Sequence, residues 1–109
     1  MKILLICGNG LSSGMIAQKI KQAGRKEGFD VETEAYSYAQ LPEVIDQFEV
    51  VLVAPQMKFN EEMIKETCKE HNKRYAFLND FVYSTLDGAS GFHLAQLLLI
   101  KEKKDYEIL

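Results

Sequence analysis

The chain has 109 residues, 47% of them hydrophobic, and a formal net charge of −3. Residues 1–109 are read as a single domain, within the usual range of about 50–250 residues, and so mild a charge gives no electrostatic reason to expect nucleic-acid binding. The two cysteines, far apart and in no Cys-x-x-Cys pair, make neither a disulfide framework nor a zinc pattern.

Residues 1–6 read as a central strand, its run Ile3-Leu4-Leu5-Ile6 continuous rather than alternating, as expected when both faces are covered. Only four apolar residues stand between Lys2 and Cys7, fewer than the ~7–15 of a signal h-region. The helix that follows should be capped by Ser12 or Ser13, bury Met15, Ile16, Ile20 and Ala23, and end at Gly28. Residues 29–36 alternate apolar and acidic, which predicts an edge strand wet on one face. A softer segment, 37–47, predicts a short helix with Pro42 in its first turn.

Residues 50–54 form a second buried strand closed by Pro55. A helix over 59–71 follows, with Asn60 as cap and Met63, Ile64, Thr67 and Cys68 inward. A short strand over 75–78 leads to a loop or single turn over 79–84. Gly88 and Gly91 should flank a last connection, and a helix carrying Phe92, Ala95, Leu98 and Leu99 should end in Lys101, Lys103 and Lys104. The apolar cluster 94–100 contains Gln96 and falls far below the ~18 residues of a membrane span. Alternation of this kind predicts an α/β fold: a mostly parallel sheet of four strands with helices on both faces.

The chemistry concentrates in Cys7-Gly8-Asn9-Gly10-Leu11-Ser12-Ser13-Gly14. A thiol at a strand end, a glycine-rich loop and a helix start are the ingredients of an oxyanion site. Glycines let several N–H groups converge, and the helix dipole adds positive potential there. The same field favours a thiolate, so Cys7 reads as a phosphoryl carrier, the competing reading being a buried space-filling thiol. Neither a dinucleotide fingerprint nor a Walker A loop fits this glycine spacing. A tyrosine-phosphatase loop needs Arg six residues after its Cys, where this chain has Ser13. Arginine would hold phosphate bidentately and stabilise hydrolysis; without it a thiophosphate, once formed, persists.

Open α/β sheets bind ligands beyond the strands' carboxyl ends. The loops 37–40, 55–59 and 79–83 should therefore meet 7–14, which places Pro55, Gln56, Met57, Lys58, Asp80 and Tyr83 at the site's border. Cys68 reads as core and His71 as a solvated residue near a helix end; His93, at the start of the last helix, has no evident partner.

The loop after the first strand resembles that of the enzyme IIB component of the bacterial sugar phosphotransferase system, lactose/cellobiose class, whose pattern is Cys-x-x-Gly-Met/Leu-Ser-Thr/Ser-Ser. Ala54-Pro55-Gln56 is similar to that family's Gly-Pro-Gln, and Asp80, Tyr83 and Asp87-Gly88 to its Asp…Tyr…Asp-Gly run. Asn9 and Gly14 depart from the pattern, and Gly14 removes one side-chain donor. The resemblance implies a phosphatase-like or flavodoxin-like three-layer sandwich, close in layout to low-molecular-weight tyrosine phosphatases, and nothing in the sequence calls for a metal or cofactor. It implies phosphoryl relay from a histidine of enzyme IIA, through Cys7, to a β-glucoside or disaccharide sugar bound by membrane enzyme IIC. Such a protein is expected to be cytoplasmic, transiently membrane-associated through IIC. The competing readings are a cysteine phosphatase or arsenate reductase on the same architecture and a flavodoxin-like nucleotide or flavin binder.

Overall fold

Because the apolar run at the N-terminus is buried on both faces, it becomes the sheet's inner axis. The computed structural model describes residues 1–8 and 11–100, the side chains of Leu11, Ser12 and Ser13 excepted. Strands β1 (Lys2–Cys7), β2 (Glu32–Ser37), β3 (Val50–Val53) and β4 (Arg74–Phe77) form one sheet in the order β2-β1-β3-β4. Every pairing is parallel, with Cys7 opposite Ser37 and Ile6 opposite Val53. The helices are α1 (Leu11–Lys26), α2 (Leu41–Val44), α3 (Glu61–Glu70), α4 (Asp80–Ser84) and α5 (Gly88–Ile100).

Two apolar layers sandwich the sheet. On one face Ile3, Leu5, Val50 and Leu52 pack with Ile16 and Ile20 of α1 and with Phe92, Ala95 and Leu98 of α5. On the other, Leu4, Ile6, Val51 and Val53 pack with Leu41, Ile45 and Phe48 and with Ile64 and Cys68 of α3. This is the three-layer α/β arrangement expected from the alternation of elements. Pro42 does stand in the first turn of α2, and β2 is an edge strand with Glu32 and Glu34 exposed.

Element ends differ from expectation for physical reasons. Strand β2 starts at Glu32 rather than residue 29, because the Glu32 amide bonds to Met1 O, where its partner strand begins. Phe29 instead lies outside the sheet, its ring 5.4 Å from that of Phe92. Met15, expected inward, is 58% exposed; the buried stripe of α1 runs through Ile16, Ala17, Ile20 and Gly24. Helix α1 begins at Leu11, so Ser12 and Ser13 lie within its first turn rather than at the cap. Gly28 closes that helix region with φ +93°, and Phe29 N bonds back to Gly24 O.

Helix α3 begins at Glu61 rather than at residue 59. A 3₁₀ segment, Pro55–Asn60, runs straight into it, and Glu61 N already bonds to Lys58 O. Asn60 therefore holds the cap position without a side-chain capping bond. Asn79 caps the next element: its Oδ1 accepts from Val82 N at 2.7 Å, and of the expected loop or single turn it is the single turn, α4, that forms. Gly88 and Gly91 lie inside α5, not in a connection. A Cβ on Gly88 would overlap the backbone carbonyl of Lys19, and one on Gly91 would lie 2.7 Å from Ile20 Cδ1. The two glycines are where α5 presses against α1. Asp87 starts that helix, accepting from Ser90 N at 3.1 Å and Ser90 Oγ at 2.7 Å. Those bonds hold its carboxyl below the usual carboxylate range. The lysines at 101, 103 and 104 lie outside the described residues.

Candidate active site at the carboxyl edge of the sheet

Parallel strands deliver their carboxyl ends to one edge, and here that edge carries Cys7. Central strand β1 stops at the thiol, Gly8 follows exposed, and α1 begins at Leu11. Cys7 is 1% exposed, as is Cys68; neither is in a disulfide. Gly14 is exposed, and a Cβ there would meet nothing within 4 Å, so this side of α1's first turn faces open space. Of the residues expected to bind phosphate, Asn9 and Gly10 lie outside the described residues, as do the hydroxyls of Ser12 and Ser13 and the side chain of Leu11.

The segment after β3 closes over this end of the sheet. Ala54 N bonds to Ile6 O at 2.9 Å, which ties the start of the segment to β1 beside Cys7. Pro55 fixes the first position of the 3₁₀ turn, and Met57 N bonds back to Ala54 O at 3.0 Å. That turn aims Met57 inward. Met57 is 5% exposed, belongs to the same apolar cluster as Cys7, and puts its Sδ 3.7 Å from where a Gly8 Cβ would stand. From the other side comes Tyr83 of α4, whose ring packs against both apolar layers. Its hydroxyl accepts from Gln56 Nε2 at 3.4 Å, so the turn and α4 are joined across the edge.

The structure thus brings Cys7, Gly8, Pro55, Gln56, Met57 and Tyr83 together. Lys58 and Asp80 stand exposed on the same edge, on the 3₁₀ segment and in the first turn of α4. Sequence reasoning placed the stretches 55–59 and 79–83 here without singling out their apolar residues: Phe59 is 98% exposed and Phe81 71%, and Met15 lies on α1 just past the loop. Phe59 and Phe81 each sit next to a residue already singled out, but their exposure depends on where the neighbouring turns point.

Outside the edge, burial pushes the Cys68 thiol up to about 12, which fits a core role. His71 Nδ1 lies 2.9 Å from Asp46 Oδ1 at the end of α3, and His93, for which no partner was expected, has Nε2 3.0 Å from Glu27 Oε2. Among the described residues no three His, Cys, Asp or Glu side chains are grouped to hold a metal ion.

Residues 2–83, which include the whole of this edge, match the family model described as PTS system, Lactose/Cellobiose specific IIB subunit. The chain belongs to this family. It is 25% identical over 101 residues to the oligo-beta-mannoside-specific EIIB component of Bacillus subtilis, covering 93% of this chain and 98% of that protein. It is 37% identical over 68 residues to the lactose-specific EIICB component of Streptococcus mutans, which spans 62% of this chain but only 12% of that longer protein. The solution structure of the cellobiose-specific phosphotransferase IIB component protein from Borrelia burgdorferi is similar with a TM-score of 0.71 at 34% identity, over 91% of this chain and 88% of that one. The IIB family match ends at Tyr83, so α5 and its close packing on α1 lie beyond it. Among the described residues of this IIB domain no helix is long and apolar enough to cross a membrane.

Proposed function

We propose that this IIB domain is a phosphoryl carrier, a protein-phosphocysteine–sugar phosphotransferase in which Cys7 receives phosphate from a phosphohistidine of enzyme IIA and passes it to a sugar bound by membrane enzyme IIC. The observation that carries the reading is the position of Cys7: the last residue of the central strand, directly ahead of the N-terminus of a 16-residue helix. Amide dipoles at such a helix start stabilise the negative charge of a phosphoryl group in transit.

In the first step the Cys7 thiolate attacks the phosphorus of phosphohistidine in line. An S–P bond forms, the P–N bond breaks, and the imidazole nitrogen leaves with the electron pair. In the second, a sugar hydroxyl oxygen attacks the phosphorus, the S–P bond breaks, and the thiolate leaves, the hydroxyl proton passing to a base outside this chain. The backbone of residues 8–14 is assigned the phosphate oxygens, with Ser12 and Ser13 as added donors. With Ser13 in place of an arginine, water is given no help in removing the phosphate.

Both partners use the Cys7 edge in turn, through Gln56, Lys58, Phe59, Asp80 and Phe81. The fusion of a IIB-like segment within an EIICB relative supports a IIC partner. The groove between α4 and α5, about 410 Å³ and lined by Phe77, Asn79, Val82 and Leu97, does not include Cys7. A thiol at the end of the central strand, outside that groove, suits a protein donor better than an enclosed small molecule. Such sequential contacts belong at the small end of interface sizes, below roughly 1,200 Å². The sugar is proposed to be of the β-glucoside or disaccharide class, and the domain to work in the cytoplasm beside IIC.

The test is incubation with phosphorylated IIA followed by mapping of the adduct. Phosphate on Cys7, lost in Cys7→Ser, is expected; phosphate on a histidine, or its survival in Cys7→Ser, overturns the reading. Rapid turnover of an aryl phosphate by the purified domain would favour the hydrolase reading instead.

A further inference from the structure

A carrier thiol that is 1% exposed poses a question of access. Among the described residues, one short segment stands beside it. Pro55–Asn60 leaves β3 beside Cys7, buries Met57 against Gly8, and is joined to α4 by Gln56 and Tyr83. Met57 is the one residue of that segment that is buried, while Gln56, Lys58 and Phe59 around it are exposed. Its unbranched thioether side chain has no polar atom to hydrate and fills an irregular gap. Three features therefore coincide: a hidden sulfur, an apolar plug on a short 3₁₀ segment, and a polar tie that joins that segment to α4.

We propose that Met57 is a positioning and water-excluding residue for Cys7, a plug held in place by the Gln56–Tyr83 hydrogen bond, and that it sets how fast small molecules and water reach the sulfur. The inference rests on the reading that Cys7 carries the phosphoryl group, because only a carrier gains from keeping water away. Hydrolysis of phosphocysteine requires a water oxygen to attack phosphorus as the S–P bond breaks, giving a thiol and inorganic phosphate. A plug that leaves only with the docking partner confines that attack to the partner's hydroxyl.

The experiment measures alkylation of the native domain by iodoacetamide, where an S–C bond forms and iodide leaves, with Cys7 and Cys68 followed separately by peptide mass spectrometry. Burying a Met side chain biases an opening equilibrium by about tenfold or more. Met57→Ala is therefore expected to speed alkylation of Cys7 about tenfold, Met57→Leu to keep it near the native rate, and Tyr83→Phe to raise it by a smaller factor. Cys68, deep in the other part of that layer, is expected to stay unlabelled in all four proteins, which also reports that the variants remain folded. Equal Cys7 rates in native, Met57→Ala and Tyr83→Phe proteins with Cys68 protected would overturn the proposal. If Met57→Ala exposes Cys68 as well, Tyr83→Phe alone decides, because it keeps the ring and removes only the hydroxyl. These rates do not involve phosphoryl transfer, so a failure of the plug is distinguishable from a failure of the carrier reading. In the phosphorylated domain, Met57→Ala is expected to shorten the lifetime of phosphocysteine by a similar factor; an unchanged lifetime counts against water exclusion.

Discussion

Gly88→Ala sets two well-known effects against each other. Alanine is a better helix former than glycine by about 1 kcal/mol in a helix interior, an upper bound at Gly88, the first residue of α5, so propensity alone makes the substitution stabilising. The structure predicts the opposite sign. A Cβ on Gly88 would overlap the Lys19 carbonyl and stand 2.9 Å from Ile20 N, and both are backbone atoms in the middle of α1. No rotamer change relieves that overlap; α5 has to move away from α1. Movement there unpacks Phe92, Ala95 and Leu98 from Ile16 and Ile20. Overpacking of this kind costs about 1–3 kcal/mol. Even after a partial gain from helix propensity, a net loss of about 1–2 kcal/mol remains. At about 4–8 °C per kcal/mol for a domain of this size, the melting midpoint should fall by at least ~4 °C. Gly14→Ala is the paired control, because a Cβ there meets nothing within 4 Å, and it should stabilise by about 0.5–1 kcal/mol. Thermal unfolding followed by circular dichroism reads both. A Gly88→Ala midpoint equal to or above the parent's would refute the claim that the α1–α5 approach requires glycine.

Asn79→Ala removes the bond to Val82 N and should cost about 1 kcal/mol in urea unfolding, with Asn79→Ser retaining most of the stability. Burial lifts the folded Cys68 thiol from an ordinary value near 9 to about 12, so the fold favours its neutral form. Its contribution is complete below pH ~9 and is lost as pH rises toward 12; stability should fall by up to about 1.4 kcal/mol per pH unit in that window. The fall from pH 9 to 10 should vanish in Cys68→Ala, while Tyr75, lifted to about 12 chiefly by burial, adds its own loss from pH ~10 upward. Finally, Lys58→Glu and Phe59→Ser should slow phosphoryl exchange with IIA and leave the melting midpoint within about 2 °C of the parent, since exposed substitutions seldom exceed 0.5 kcal/mol. Unchanged rates in both would remove that patch from the docking surface.

The architecture was legible because its signals are local. The continuous apolar runs at 3–6 and 50–53 can only be strands covered on both faces, and they fix a parallel sheet. Strand and helix ends were less legible because partners set them: β2 cannot extend past the residue that meets Met1 O, and α3 starts where a 3₁₀ turn hands it a bonded amide. Gly88 and Gly91 were misread for a related reason. Glycine signals a turn in sequence, and only the facing backbone of Lys19 and side chain of Ile20 reveal its other use. At the site, Cys7, Pro55-Gln56 and Tyr83 stood out individually. That Gln56 would meet Tyr83, 27 positions on, and that the adjacent Met57 would turn inward against Gly8 depend on the strand order, which composition and spacing do not encode.

Strand β1 has ladder partners along both sides, Glu32 to Ser37 on one and Val50 to Val53 on the other. Amides of Ile3, Leu4, Leu5 and Ile6 should accordingly be among the last to exchange with deuterium, opening only when the whole domain unfolds. The sulfur proposed to carry the phosphoryl group is thus mounted on a strand paired along both sides, and among the described residues it is the turns after β3 and β4 that would yield to a visitor. Repeated charging and discharging at the tip of that strand would leave the fold's slowest clock untouched.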